Sequence, residues 1–512
     1  MANHNFFKAL LKYGRFDEYH FFLANSAHRR LFESGHGPFL ESVCASHKVR
    51  LFDRLDLLRQ AREFDYTVFH QSDHITSFSS LCHFRNQVGS FPVTAFIHSL
   101  SYQRFMSTYL HMMLGGVTSR DSLICSSTSG KKALENCFQQ IAGTLSRNGP
   151  VIPMEVIPLG LDGESFYPLD RVGCRNELQL GEQEVIGLCF GRFSDYDKMD
   201  LFPVLQAFER ISRKKASWRL ILAGAVHSES YLKTLRIWTK ALGISQNVTF
   251  LTNLSQEEKV ALYRSADFFI SLSDNPQETF GITLLEAMAC GLPLMVSDFD
   301  GYRDIVTDEV GKRIPTTWGD FEPLGMMAPL MDEVTYHRYL AQSVCVDVEH
   351  LADGLKFFFS NPYRCREMGE AARQRFLKLY DYPSVIEKLE ALWLTLKKDF
   401  DSAPNASHRD PLNMNVFQCF SHYVTQTLAS SMKIKLTPLG KSLLESETEY
   451  PLFPEMARLI DHDHMMAIMR QTMTPCSVGE IGRVLKRSEW NDRYVILWML
   501  KHGLLQFIPE ND

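Results

Sequence analysis

The sequence predicts an α/β protein: two consecutive βαβ domains with parallel sheets facing a crevice, then a small, mainly helical domain. Three observations predict this. Short runs that are apolar on both faces recur, spaced to admit a helix between them, which is the pattern of buried parallel strands. Two polar, Pro-containing breaks, GLDGESFYPLDRVGC (160–174) and DFDSAPNASHRDPLN (399–413), read as a hinge and a linker. The residues after the linker turn to helical spacing. The divisions expected are 1–165 for the first domain, 166–400 for the second and 411–512 for the third.

In order along the chain, the first domain opens on NHNFFKALLKYGRFDEYHFFLA, a helix leading into a strand. Its strand runs are YHFFLA (19–24), KVRLF (48–52), YTVFH (66–70), PVTAFIHS (92–99), LICSS (123–127) and EVIPLG (155–160). Those of the second are VIGLCFG (185–191), WRLILAGA (218–225), NVTFL (247–251), ADFFISLS (266–273) and LPLMVSD (292–298). In the last stretch, TPCSVGEIGRVLKRSEWNDRYVILWMLKHGLLQFI (474–508) holds a helix, a turn and a second helix. Tyr494, Leu497 and Leu500 fall there at helical spacing, followed by Gly503 and an apolar run, a winged-helix-like pattern.

Composition removes several function classes. At 512 residues with 45% apolar and 22% charged residues, the chain is an ordinary globular protein. A formal charge of −6 argues against a general nucleic-acid or anionic-membrane binder. Residues 411–512 are near neutral, which disfavours DNA binding by a winged helix. No apolar run reaches the ~18 residues of a membrane span, so membrane contact is at most peripheral. The eleven cysteines form no CxxC pair and the N-terminus lacks the order of a signal peptide. A cytoplasmic protein with reduced cysteines is expected.

The chemistry concentrates in SDNPQETFGITLLEAMACGLPLMVSD (273–298). It reads as strand, loop, helix, strand, with Gly291 a fitting helix terminator. Glu278 then sits in the loop at the strand's exit and Glu286 near the second helical turn. Both can face the crevice at the carboxyl ends of a parallel sheet, where such sheets bind ligands. A second strand ends at Gly191, with Arg192 next and Lys198 six residues later. An Arg fork and a Lys point charge suit a diphosphate. The amides of Gly281, Ile282 and Thr283 open a helix and can also meet an anion. A nucleotide diphosphate attached to a polyol satisfies the whole set. Asp195 and Asp197, in DYD, read as part of the phosphate loop rather than as metal ligands. The DHDHMM stretch (461–466) reads as a polar helix start, because histidines two apart do not share a helix face.

ETFGITLLEAMACGLPLMVSDFDGYRDIV closely resembles the E-x7-E signature of GT-B-fold, retaining glycosyltransferases of the large family four group. GRFSDYDK resembles their Gly-Arg…Lys phosphate loop, VIPLGLDGESFYP their interdomain segment, and LILAGA the Gly-ended strand before their nucleotide-facing loop. The resemblance runs over roughly 65–395 and implies two Rossmann-like domains in the GT-B arrangement. It also implies roles. Glu286 would bind ribose, and Glu278 would sit beside the donor sugar. Arg192 and Lys198 would hold the diphosphate as it leaves. His98 would lie near the transferred sugar, and Gly191, Phe280, Gly281, Ile282, Thr283 and Gly224 would line the nucleotide-sugar. The implied reaction moves a glycosyl group from a nucleotide-diphosphate sugar to an acceptor hydroxyl, with retention. It needs no metal and no cofactor beyond that co-substrate. Relatives open with a strand and a Gly-rich loop before the first helix. This chain starts at the helix, so an upstream strand is expected to belong to the natural protein. The third domain is an addition, expected to serve a homodimer or protein contact. The alternatives are a non-catalytic sugar-nucleotide regulator acting through that domain, and an epimerase of the same fold.

Overall fold

The strand runs of the first two domains become strands, and every ladder among them is parallel. Burial explains why. Val93–Phe96, Ser122–Cys125, Phe268–Ser271 and Leu294–Ser297 are buried at all four positions, so both faces are covered by helices. The computed structural model describes residues 2–43, 48–89, 91–145, 152–212, 215, 217–401, 410, 412–446, 450–453, 456–485 and 489–508. It divides into two units, Met1–Asn413 and Met414–Asp512.

In the first unit, β1 (Glu18–Leu23) and β2 (Lys48–Asp53) pair with each other alone. A separate sheet follows the order β3-β4-β5-β6, from β3 (Phe69–Gln71), β4 (Val93–Phe96), β5 (Ser122–Cys125) and β6 (Met154–Val156). Among the described residues no ladder joins the two. Side chains span the break instead: His20 hydrogen-bonds Tyr66 at 2.6 Å, and the Phe22 and Phe69 rings lie 5.6 Å apart.

The second sheet runs β12-β11-β10-β7-β8-β9. Its strands are β7 (Val185–Phe190), β8 (Trp218–Gly224), β9 (Val248–Thr252), β10 (Phe268–Ser271), β11 (Leu294–Ser297) and β12 (Gly311–Ile314). Strand order reverses between β7 and β10, which places a crevice at their carboxyl ends. β12 was not foreseen, because Lys312 and Arg313 break its apolar run at the sheet's edge. A segment without a strand run in the sequence also folds. β13 (Thr316–Thr317) pairs antiparallel with β14 (Cys345–Val346), and helix Glu333–Gln342 lies between them. The chain then returns to the first domain. Helix Tyr382–Asp401 buries Val385, Ile386, Leu389 and Trp393 against Phe7, Leu10 and Leu11, and Trp393 Nε1 donates to Thr94 Oγ1 at 3.1 Å.

The second unit has its own core of Ile434, Met465, Ile468, Met469, Ile481, Val495, Ile496 and Met499. Helices Pro438–Ser446, His462–Gln471, Val478–Leu485 and Glu489–Lys501 accompany an antiparallel sheet in the order β16-β15-β17, from β15 (Lys433–Leu436), β16 (Cys476–Ser477) and β17 (Leu505–Phe507). The second helix expected there is Glu489–Lys501, which leaves Tyr494 and Leu497 exposed and turns Val495, Ile496 and Met499 inward. The helix is apolar on several faces, so periodicity alone did not choose its buried one. DHDHMM is a helix start: Asp461 caps helix His462–Gln471 by accepting from His464 N, and His464 is buried on Asp492 at 2.7 Å.

Candidate active site

Two loops meet where the strand order reverses. The loop after β7 carries Arg192 and Lys198, and the loop after β10 carries Glu278. They are tied by main-chain bonds that leave little freedom. Asp200 N donates to Asp274 Oδ2 at 2.8 Å, and Asn275 Nδ2 donates to Tyr196 O. Glycines permit the close approach. Gly224, at the end of β8, has φ +145°, and a Cβ there would lie 1.8 Å from Gly191 O. Its role is to let two main chains touch. At Gly191 a Cβ would meet Lys198 Cγ at 3.2 Å, so this glycine leaves room for the lysine stem.

Gly281, with φ +102°, caps helix Ile282–Ala289, a conformation that needs glycine. A Cβ on it would sit 2.5 Å from the Tyr302 ring. The Phe280 ring is buried beside Tyr380. Thr283 Oγ1 is buried without a hydrogen-bond partner among the described residues. The helix ends at Ala289, and Gly291 follows in the left-handed region at φ +76°, as its sequence position indicated.

Of the predicted charges, Lys198 and Glu278 are brought together as a pair. Lys198 Nζ donates to Glu278 Oε2 at 2.6 Å, with the lysine side chain 9% and the glutamate 22% exposed. Burial works to raise the Glu278 carboxyl, and the Lys198 ammonium more than offsets this, holding the group below its ordinary range. Burial likewise opposes the charged Lys198, and Glu278 reverses the effect, so the lysine stays charged. Arg192 is turned onto its own loop: Nη1 lies 3.1 Å from Asp197 Oδ2, and Nη2 donates to Asp197 O at 3.0 Å. Asp195 is held by Arg338 Nε at 2.8 Å, so both acids of DYD face arginines.

Glu286 is buried, and its Oε1 accepts from Lys259 Nζ at 2.5 Å. The ammonium also lies 5.0 Å over the Phe190 ring, at the end of β7. Glu286 Oε2 has no hydrogen-bond partner among the described residues. Burial, and then the Glu286 charge, push the Tyr263 phenol well up. A buried carboxylate with one oxygen unspent suits a ligand hydroxyl, since an unmet acceptor is costly.

The first domain closes on this wall at two places. Ser127 Oγ donates to Thr279 O at 2.7 Å, and Thr128 Oγ1 to Asp304 Oδ1 at 2.6 Å. Farther along, Ser101 Oγ and His337 Nε2 are 3.0 Å apart, and Arg104 pairs with Glu333. His98 stands just past β4 in this domain, its Nε2 donating to Ser72 O at 2.7 Å.

Three site residues escaped sequence reasoning. Lys259 lies on a helix of ordinary polar spacing, and only the fold sets it on Glu286. Arg338 comes from a helix with no family string. Asp300, in FDGYRD, has φ +50° and a buried Oδ2 without a hydrogen-bond partner among the described residues. Burial, with the Glu278 charge next, raises its carboxyl well above the usual range. The Asp300-Gly301 pair, a turn signal, was what the sequence offered.

Residues 174–318 match the glycosyl transferases group 1 family. Over 167 residues the chain is 30% identical to D-inositol 3-phosphate glycosyltransferase of Segniliparus rotundus, covering 32% of this chain and 36% of that protein. Over 163 residues it is 31% identical to phosphatidyl-myo-inositol mannosyltransferase of Mycobacterium leprae, covering 30% and 39%. The chain thus spans little more than a third of the length of these curated relatives. Among solved structures, Anabaena HepE in complex with UDP superposes with a TM-score of 0.53 at 17% identity, over 76% of this chain and 95% of that one. Sucrose-phosphate synthase of Thermosynechococcus elongatus gives 0.50 at 18%, over 78% and 92%. These two share the fold, an α/β arrangement of the GT-B type.

Proposed function

We propose, for a chain whose residues 174–318 belong to the glycosyl transferases group 1 family, that it transfers a sugar from a nucleotide-diphosphate donor to an acceptor hydroxyl. The observation that carries this reading is the meeting of Lys198 and Glu278 at 2.6 Å where the strand order reverses between β7 and β10. In the absence of a donor, cations and carboxylates neutralise each other. A bound diphosphate takes over Lys198 and Arg192. Glu278 is then free to accept from a sugar hydroxyl, and Glu286, still paired with Lys259, offers its Oε2 to ribose.

In the reaction the bond between the anomeric carbon and the diphosphate oxygen breaks, its electron pair leaving with the diphosphate, and the acceptor oxygen bonds to that carbon as its proton passes to the departing diphosphate oxygen. Lys198 and Arg192 stabilise charge on the departing diphosphate, a place where preorganised donors act most strongly. They do so without a metal, and the anomeric configuration is retained. His98, on the opposite domain, lies toward the transferred sugar. The second unit serves protein contact or dimerisation, and the protein works in the cytoplasm.

The test is turnover of UDP, GDP, ADP and TDP sugars by the purified chain. We expect release of the nucleoside diphosphate from one donor class, and a loss of about 10²–10³ in kcat for Lys198→Ala or Arg192→Ala, the range seen when one transition-state donor is removed. Added Mg²⁺ or Mn²⁺ should leave the rate unchanged. A strict requirement for either ion would overturn the metal-free reading.

A further inference from the structure

Three side chains from three separate segments converge far from the crevice. His83 lies in helix Phe78–Val88, His111 in the last turn of helix Phe105–Met113, and Asp410 follows helix Tyr382–Asp401 in the chain. His111 Nε2 is 2.7 Å from Asp410 Oδ1, and His83 Nε2 is 4.0 Å from the same oxygen. One ligand atom from each residue lies within 4.8 Å of the others. We propose that His83, His111 and Asp410 bind one divalent cation of the zinc type, as a structural clasp that holds the Asp410 segment to the first domain.

The donor set fits such an ion. Two imidazoles and one carboxylate are common zinc ligands, with bonds of about 2.0–2.2 Å and tetrahedral placement. Ligand atoms around such an ion stand about 3.3–3.5 Å apart, as those bond lengths and a tetrahedral angle require. The two separations from Asp410 Oδ1 bracket this value, so small rotations of the two rings bring all three atoms onto one ion. The rings are already near parallel, with centroids 5.8 Å apart and planes 17° apart. The site is shielded: side-chain exposure is 1% for His83, 15% for His111 and 8% for Asp410. With three protein ligands, a fourth position stays open to water.

The surroundings are built to keep His83 in place. Gly116 has φ +85°, and a Cβ on it would lie 2.5 Å from the His83 ring, so only glycine lets the loop close over the imidazole. Arg85, two residues on from His83, is buried and pairs with Asp121 at 2.7 Å, and it also donates to Gly116 O. Asp410 Oδ1 accepts from Leu412 N at 3.0 Å as well, which orients the carboxylate from its own segment. Asp121 immediately precedes β5, so the cluster lies by the amino ends of the strands. The candidate active site lies at their carboxyl ends. An ion here therefore acts on stability and not on sugar transfer.

The experiment uses the full chain, stripped with a chelator, dialysed, and titrated with Co²⁺ while visible absorption is read. One equivalent should produce the intense bands of four-coordinate cobalt, and Zn²⁺ should displace them. His111→Gln and Asp410→Asn, both outside the main core, should each weaken binding at least tenfold, as should His83→Gln. Zn²⁺ should raise the melting temperature of the wild-type chain and not that of His111→Gln. Donor turnover by His111→Gln should equal wild type, so this proposal and the catalytic reading fail separately. Binding of less than one equivalent by the wild-type chain overturns the site. So does equal Co²⁺ binding by His111→Gln and Asp410→Asn, whether or not His83→Gln folds.

Discussion

Single residues in this protein carry charge where the chain excludes water, and each is made tolerable by one partner. Glu278 has Lys198, and Glu286 has Lys259. Removing one partner of such a pair strands the other, which is why single substitutions are informative here. Glu286→Ala is expected to weaken nucleotide binding, while Glu278→Ala chiefly lowers turnover. Losing a hydrogen bond to a charged group costs about 1.5–3 kcal/mol. Calorimetry with the nucleoside diphosphate, set beside kcat for the two variants, checks the division.

Asp274 is the contrasting case, because its Oδ1 has no hydrogen-bond partner among the described residues. Burial pushes its carboxyl up from 3.8 to about 8. The folded pKa lies above the unfolded one, so the contribution to stability is full below the unfolded value and is lost as pH rises through the folded one. Stability should therefore fall between pH ~4 and ~8 by an amount of order a few kcal/mol. Asp274→Asn should flatten the melting temperature against pH over that window. An unchanged slope would show that Asp274 does not titrate there.

At the scale of elements, glycines and one unforeseen helix shape the crevice. Gly224→Ala places a methyl group against Gly191 O and forces a left-handed residue, so the β7 and β8 exits must separate. A loss of ~2 kcal/mol or more follows from strain and displacement together, and it is read by chemical denaturation. Donor binding should fall with it, since the same loop holds Arg192 and Lys198. Helix Glu333–Gln342 bridges the domains, with Glu333 and His337 on Arg104 and Ser101 and with Arg338 on Asp195. Arg338→Ala should raise hydrogen exchange in this helix, because an exposed ion pair of this kind contributes only about 0–1 kcal/mol and the element is held by few such contacts. No change in exchange would show that packing alone secures it.

At the scale of the whole molecule, two units have separate cores. The second unit, Met414–Asp512, buries Ile434, Met465, Ile468 and Met499 without help from the first. Expressed alone it should unfold cooperatively on heating, as a domain with its own core does. It should not bind DNA, since its lysines and arginines are balanced by acids. Salt-sensitive DNA binding by the isolated piece would sink that reading. Deleting it should change self-association or acceptor use and leave donor binding intact.

The sequence by itself determined what depends on neighbours along the chain. Runs apolar on both faces gave the buried strands. Gly291 ended the helix that carries Glu286, and the Arg192–Lys198 spacing fitted a loop between strand and helix. These signals are local, because period and turn chemistry act over a few residues. Only the tertiary structure decided which distant groups meet. Lys259 reaches Glu286, Arg338 reaches Asp195 and Asp410 reaches His111, because strand order and crossing helices bring them together. The inward face of helix Glu489–Lys501 was settled in the same way: with apolar residues around much of its surface, only the neighbours it packs against could choose Val495, Ile496 and Met499 over Tyr494 and Leu497.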